Sequence, residues 1–159
     1  MKIFIGVLLL LLSLGSYANP VQFATDLYAD SIDSAAESRP LVVLYTASYC
    51  IYCEAVKTEF FNHIASNPEY QSRIILREVV IDGDMTLTDF SGTPTNHAKY
   101  GAERNVKLVP TVSFYDSHGN DLVEPLVGVR LMDFYMWYLN QRIEDAVNAY
   151  PVKSVKQDS

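Results

Sequence analysis

Five consecutive residues, Leu41-Val42-Val43-Leu44-Tyr45, are apolar, and two adjacent valines sit at their centre. A strand with one wet face alternates apolar and polar residues. A strand without alternation is covered on both faces. This run therefore calls for a sheet with helices on each side. Arg73 to Ile81 (RIILREVVI) reads as a second buried strand, and Val112 to Tyr115 as a third. Asp116-Ser117-His118-Gly119-Asn120 is turn material, so Leu122 to Val127 should return as a fourth strand in a hairpin.

Helical segments lie between these strands. Asp30 to Ser38 reads as a short helix stopped by Arg39-Pro40. A helix is expected from Cys50 to about Ser66, with Val56, Phe60, Phe61 and Ile64 as its apolar spacing and Asn67-Pro68 as its end. Asp82 to Gly92 is polar, carries two glycines and reads as a loop. Thr93-Pro94 has the form of an N-cap with proline at the first helical position, opening a helix to about Arg104. A closing helix is expected from Leu131 to about Asn148. The resulting order, β-α-β-α-β-β-α, specifies a mixed central sheet flanked by helices.

The first twenty residues belong to a different problem. Met1-Lys2 is basic, Ile3 to Leu12 is apolar, and Ser16-Tyr17-Ala18 offers small residues at the positions a signal peptidase inspects. Residues 1–18 are read as a cleavable signal peptide. The apolar run is shorter than the ~20 residues a spanning helix needs, so no membrane insertion is expected after cleavage. The remaining chain, 19–150, is long enough for one α/β domain, and 151–159 reads as a polar, flexible tail. The net charge is −7, and removal of Lys2 makes the balance more acidic. Such a chain attracts neither nucleic acid nor an anionic membrane surface.

The chain holds two cysteines, Cys50 and Cys53. In an exported protein they tend to be oxidised. A bond between near neighbours closes almost no loop and removes little entropy from the unfolded chain, which makes a purely structural role a weak explanation. Zinc usually needs four ligands. No second cysteine pair exists, and His63, His97 and His118 are scattered, so no metal is expected. The pair follows a buried strand and opens a helix. Unpaired N–H groups and the positive dipole end of a first turn both favour a thiolate. A free thiol with pKa ~8.5 is about 3% ionised at pH 7, and one with pKa ~7 is half ionised. Cys50, at the exposed end, can attack a disulfide in another protein. Cys53, one turn deeper, can then displace the product.

Other features carry less. Asp82-Gly83-Asp84 with Asp89 hints at a calcium loop, but Leu87 and Thr93 stand where the pattern needs glycine and glutamate, so a polar turn is the better reading. Phe134, Tyr135, Trp137 and Tyr138, extended at helical spacing by Met132, Met136, Leu139, Ile143 and Val147, read as a core stripe. Tyr49 and Tyr52 flank the cysteines and either pack inward or form an exposed apolar contact surface.

Taken with its context, the cysteine pair resembles that of the thioredoxins. The matching parts are strand Leu41–Tyr45, Cys50-Ile51-Tyr52-Cys53 on a helix, Val109-Pro110-Thr111 entering a strand, and Gly128 before the last helix. More narrowly, the chain is similar to the SoxW-like, thioredoxin-related periplasmic proteins. The shared features are the Thr-x-x-x-Cys-x-Tyr-Cys pattern of Thr46 to Cys53 and the stretch from Asp89-Phe90-Ser91-Gly92-Thr93-Pro94 through Lys99-Tyr100-Gly101. The likeness runs from about Asp30 to Asn148. It implies a thioredoxin-like fold over 19–150, with Pro110 in the cis form against the cysteines. It implies that the backbone of Val109 pairs with an extended substrate strand, and that Tyr49, Ile51 and Tyr52 border the substrate. There are two departures. Leu44 stands where thioredoxins carry a buried aspartate, so Cys53 has no evident base. Ile51-Tyr52 replaces the glycine and proline of thioredoxins, and these residues influence the reduction potential.

The resemblance implies a monomeric thiol–disulfide oxidoreductase that reduces client disulfides in the periplasm of a Gram-negative bacterium. It would use no cofactor beyond a redox-active Cys50–Cys53 disulfide. Its partners would be exported, cysteine-containing client proteins and a membrane dithiol donor of the CcdA or DsbD kind. Two rivals stay open: a disulfide oxidase or isomerase, and a thioredoxin-fold binding module without turnover.

Overall fold

The strand β1 (Leu41–Thr46) lies at the centre of the sheet with all six residues buried. Parallel to it on one side runs β2 (Ile75–Val80), with Leu44 opposite Glu78. Antiparallel to it on the other side runs β5 (Thr111–Tyr115), with Tyr45 opposite Thr111. A short β6 (Leu126–Val127) completes the order β2-β1-β5-β6. The structure is a computed structural model and describes residues 20–151. The signal peptide expected at 1–18 and all but the first residue of the expected tail lie outside the described residues. Beside β2, the segment Gln22–Ala24 adds backbone hydrogen bonds to Glu78, and both are 2.8 Å long.

Each face of the sheet has its own core. On one, Val42, Leu44, Leu76, Val112 and Phe114 pack against Val56, Phe61, Ile64, Tyr135, Leu139 and Ile143. On the other, Leu41, Val43, Tyr45, Ile75 and Val79 pack against Leu27, Leu87 and Tyr100. The α/β architecture required by an unalternating central strand is thus present, with helices on both faces.

Several boundaries differ from the sequence reading. The first helix, α1 (Leu27–Glu37), begins earlier because the Asp26 carboxylate accepts the Ala29 N–H at 2.9 Å. The helix expected over 50–66 is three segments: α2 (Ile51–Val56), a π-helical turn (Lys57–Phe61) and α3 (Asn62–Ser66). The wide turn sets adjacent Phe60 and Phe61 against one ring, Tyr135, at 5.4 and 6.4 Å. A further short helix, α4 (Pro68–Gln71), follows Asn67 as its cap.

The Thr93-Pro94 helix start is incorrect. Pro94 lies in β4 (Pro94–Asn96), at the start of the expected helix, and pairs with β3 (Thr86–Thr88), inside the expected loop, as a second small sheet. Asp89 explains this. Its carboxylate accepts the N–H groups of Ser91 and Thr93 while its own N–H donates to Thr93 C=O, closing a hairpin turn. The helix start passes to Asn96, which caps α5 (His97–Glu103) by accepting the Lys99 N–H. The hairpin is held down by Phe90, edge-on to Tyr115, and by the Arg104 guanidinium stacked among Phe90, Tyr100 and Tyr115.

The fourth strand is shorter than the expected 122–127. Leu122 N–H still donates to Phe114 C=O, but Pro125 has no N–H to give and regular pairing resumes only at Leu126.

The last helix, α6 (Met132–Ala149), corrects the reading of its aromatic stripe. Tyr135 is buried with Leu139, Ile143 and Ala146, while Phe134, Trp137 and Tyr138 face solvent. Side chains about 100° apart around a helix cannot all share one buried stripe. His97 is a satisfied core histidine. Its Nδ1 accepts the Val80 N–H at 3.0 Å and its Nε2 faces Ala24 C=O at 2.7 Å, which matches the neutral ring protonated on Nε2.

Gly101 brings α5 directly onto the end of β2. A Cβ there would sit 2.8 Å from Ile81 Cγ2 and 3.2 Å from its Cβ, the stiff branch of that side chain. Gly101→Ala is expected to destabilise the protein by about 1–3 kcal/mol through overpacking. Urea unfolding midpoints would measure this, and an unchanged midpoint would mean that the helix and strand separate freely.

Candidate functional site

One end of the sheet collects the elements around the two cysteines. The antiparallel register places Thr46 opposite Pro110, one step beyond the Tyr45–Thr111 pair. The parallel neighbour leaves the sheet at the same end, where Ile81 N–H donates to Thr46 C=O at 2.8 Å. Gly128 N–H donates to Pro110 C=O at 2.7 Å and brings in the loop before α6. Three connections therefore converge where β1 ends.

The turn Ala47–Cys50 leaves β1 and is closed by Cys50 N–H donating to Ala47 C=O. Cys50 is the N-cap of α2, and its Sγ accepts the Cys53 N–H at 3.1 Å. The two cysteines form a disulfide, with Cα atoms 5.2 Å apart. Cys53 is fully buried, and Cys50 is partly exposed. Once the bond is reduced, the amide already aimed at Cys50 Sγ stabilises a thiolate there. The geometry thus separates an accessible sulfur from a protected one.

The remaining expected residues surround this turn. Tyr49, Ile51 and Tyr52 are 73%, 76% and 58% exposed, so they do not pack inward. The Val109–Pro110 peptide bond is cis. Pro110 is buried. Val109 packs partly into the core, and neither its N–H nor its C=O is hydrogen-bonded within the described residues. Cys50 is the end of the disulfide that reaches the surface. The described residues contain no cluster of three metal-binding side chains.

Sequence reasoning missed a polar pair beneath the site. Glu78 is almost wholly buried on the sheet face that α2 covers. Its Oε1 accepts the Thr46 hydroxyl at 2.7 Å and meets Lys57 Nζ at 3.2 Å. Lys57, one turn beyond Cys53, also reaches Glu54 at 3.0 Å. Burial pulls the Lys57 ammonium down, but the hydrogen bonds and charges of Glu54 and Glu78 outweigh it and hold its pKa above the ordinary 10.5. Leu44 is the register partner of Glu78, so a carboxylate absent from β1 is supplied by the adjacent strand. The signal was present in Arg77-Glu78, two charges inside an apolar strand. Each needs a partner when buried, and Arg77 finds Asp30.

A second missed residue is Asp82, just after β2. Its carboxylate accepts the Ser48 N–H at 2.9 Å and the Ser48 hydroxyl, fastening the turn that delivers Cys50.

Over residues 27–131 the sequence matches the family described as a thioredoxin-like domain. No curated protein matches the chain. Among solved structures, the thioredoxin of Fasciola hepatica is similar, at 15% identity and a TM-score of 0.53, over 78% of this chain and 97% of that one. A poplar thioredoxin h mutant gives 14% identity and a TM-score of 0.54, over 82% and 87%. The DsbH oxidoreductase gives 15% identity and a TM-score of 0.50, over 80% and 87%. At these identities the likeness is one of fold.

The bonds from Ser48 hold the Asp82 pKa below its ordinary 3.8. The contact is therefore complete above the ordinary carboxylate range and is lost as pH falls through the depressed value. The Ser48 amide resonance is expected to stay constant from neutral pH down to about 4 and to move below it. In Asp82→Ala it should be displaced at every pH. A titration of the amide by NMR checks both, and an amide that titrates identically in the two proteins would refute the clamp.

Proposed function

The chain belongs to the thioredoxin-like family and is a thiol–disulfide oxidoreductase, and from that premise we propose that it reduces disulfides in exported client proteins of the periplasm. The observation that carries the reading is the asymmetry of the pair: Cys50 is partly exposed with an N–H aimed at its sulfur, and Cys53 is buried behind it.

In the proposed reaction the Cys50 thiolate attacks one sulfur of a client disulfide. A Cys50–client bond forms, and the client's other sulfur leaves as a thiolate that takes up a proton. Cys53 then loses its proton and attacks Cys50 Sγ. The Cys50–Cys53 bond forms and the second client sulfur departs. The client gains two electrons and the protein is left oxidised. Glu78, paired with Lys57 on the face under α2, is the acceptor for the Cys53 proton in this scheme. The free backbone groups of Val109 pair with the client strand beside the disulfide.

Three features support the export and the direction. Residues 1–18 have the form of a signal peptide, and no helix among the described residues is long and apolar enough to cross a membrane. The Thr46 to Cys53 pattern and the Asp89 to Gly101 stretch point to the SoxW-like, periplasmic branch. In that setting the oxidised pair is returned to the dithiol by a membrane donor of the CcdA or DsbD kind, and the domain acts as a monomer.

Equilibration of the Cys50–Cys53 couple with glutathione buffers tests the direction. A potential near roughly −270 mV supports a reductase, and one near roughly −120 mV makes the protein an oxidant. Cys50→Ser should abolish turnover, and Cys53→Ser should accumulate mixed disulfides; insulin reduction by Cys50→Ser at the wild-type rate would sink the assignment. Glu78→Gln should slow release of the mixed disulfide at pH 7 by roughly tenfold, the change in thiolate per unit of pKa. Quenched-flow rates across pH would show that deficit closing at alkaline pH.

A further inference from the structure

The first half of α6 is apolar on two faces. One is the buried stripe begun by Tyr135 and Leu139. The other is Leu131, Phe134, Trp137 and Tyr138, which are 57%, 56%, 58% and 39% exposed. A surface helix ordinarily turns polar residues to water. The second half of this helix largely obeys the rule: its exposed positions are Gln141, Glu144, Asp145, Asn148 and the small Ala149 at the end. On α6 the large exposed apolar side chains thus gather at the end that follows Gly128, and Gly128 is bonded to Pro110. Val127 and Leu108, both exposed, carry the same apolar character across that rim toward Tyr49, Ile51 and Tyr52.

Resting on the oxidoreductase reading above, we propose that this ridge on α6 extends the client-binding surface and receives an apolar, aromatic-rich segment flanking the client's disulfide. From Leu131 to Tyr138 the helix spans ~10 Å, which an extended chain covers in about three residues. The ridge therefore contacts about three successive residues of a bound segment. Trp137 and Tyr138 meet edge to face at 5.0 Å, so each ring restrains the other before any partner arrives. Preordered aromatic anchors are the side chains that dominate binding energy at interfaces. A lipid surface fits less well, because the one exposed cation beside the ridge, Arg130, is matched by exposed Asp133, in a chain of net charge −7. A second copy fits less well, because a stable dimer on this face would crowd the rim that must open for turnover.

The test uses the wild-type protein and the Phe134→Ser/Trp137→Ser double variant. Both sites face solvent, and equal unfolding midpoints would verify that the fold is intact. With dithiothreitol regenerating the Cys50–Cys53 dithiol and the rate without protein subtracted, three probes are reduced in turn: a peptide disulfide flanked by phenylalanine and leucine, the same peptide flanked by serine, and glutathione disulfide. The wild type should show a KM about tenfold lower for the apolar peptide, and the variant should lose that preference with kcat and the glutathione disulfide rate unchanged. Equal KM values for both peptides in the wild type would overturn the ridge alone. So would an equal loss on all three probes in the variant, vesicle binding that depends on Trp137, or a wild-type dimer that the variant dissolves. A wild type inert toward glutathione disulfide would overturn the oxidoreductase reading and the ridge with it.

Discussion

Burial of β1 on both faces is the constraint from which the rest of the molecule follows. A strand with no solvent face needs a hydrogen-bonded neighbour on each edge and a packed layer on each side. β2 and β5 occupy the edges, and α1 with α5, and α2 with α6, occupy the sides. Because β2 is parallel to β1 and β5 antiparallel, the chain leaves β1, leaves β2 and enters β5 at one end of the sheet. The cysteine turn, the Asp82 clamp and the cis-proline loop meet there as a consequence of strand direction. No residue of the site needs to be placed individually.

The same register accounts for the buried charge. A thioredoxin-like domain without an acid at Leu44 still carries one on that face, at the position directly across the ladder. Moving the carboxylate one strand sideways keeps it under α2, within reach of Lys57, while Thr46 satisfies the same oxygen. A lone carboxylate so buried would be strongly unfavourable. Thr46 and Lys57 together offset that cost.

Much of this was legible in the residues. The unalternating run at 41–45, the helix-opening cysteines and the β-α-β-α-β-β-α order each rest on a local pattern: periodicity, punctuation or spacing. The readings that failed were those in which a local signal met a competing one. Thr93-Pro94 has the form of a helix start, but the Asp89 carboxylate captured the same backbone in a hairpin turn. The aromatics of α6 have the composition of a core stripe, yet the rotation of the helix buries Tyr135 and leaves Phe134, Trp137 and Tyr138 outside. The π-helical turn at 57–61 leaves no mark in the apolar spacing, because it depends on how Phe60 and Phe61 meet a ring from another helix.

The sequence by itself determined the redox chemistry and the class of fold, since both depend on residue types at short separations: two thiols one turn apart, and a strand that alternates with nothing. Tertiary structure alone decided which polar side chains meet near the cysteine turn and which apolar side chains stay in water. Glu78 and Lys57 are 21 residues apart, and Ser48 and Asp82 are 34 apart. Contacts at that separation are set by strand register and helix rotation. Those are collective properties of the packed core, to which every buried residue contributes and which no single stretch of sequence records.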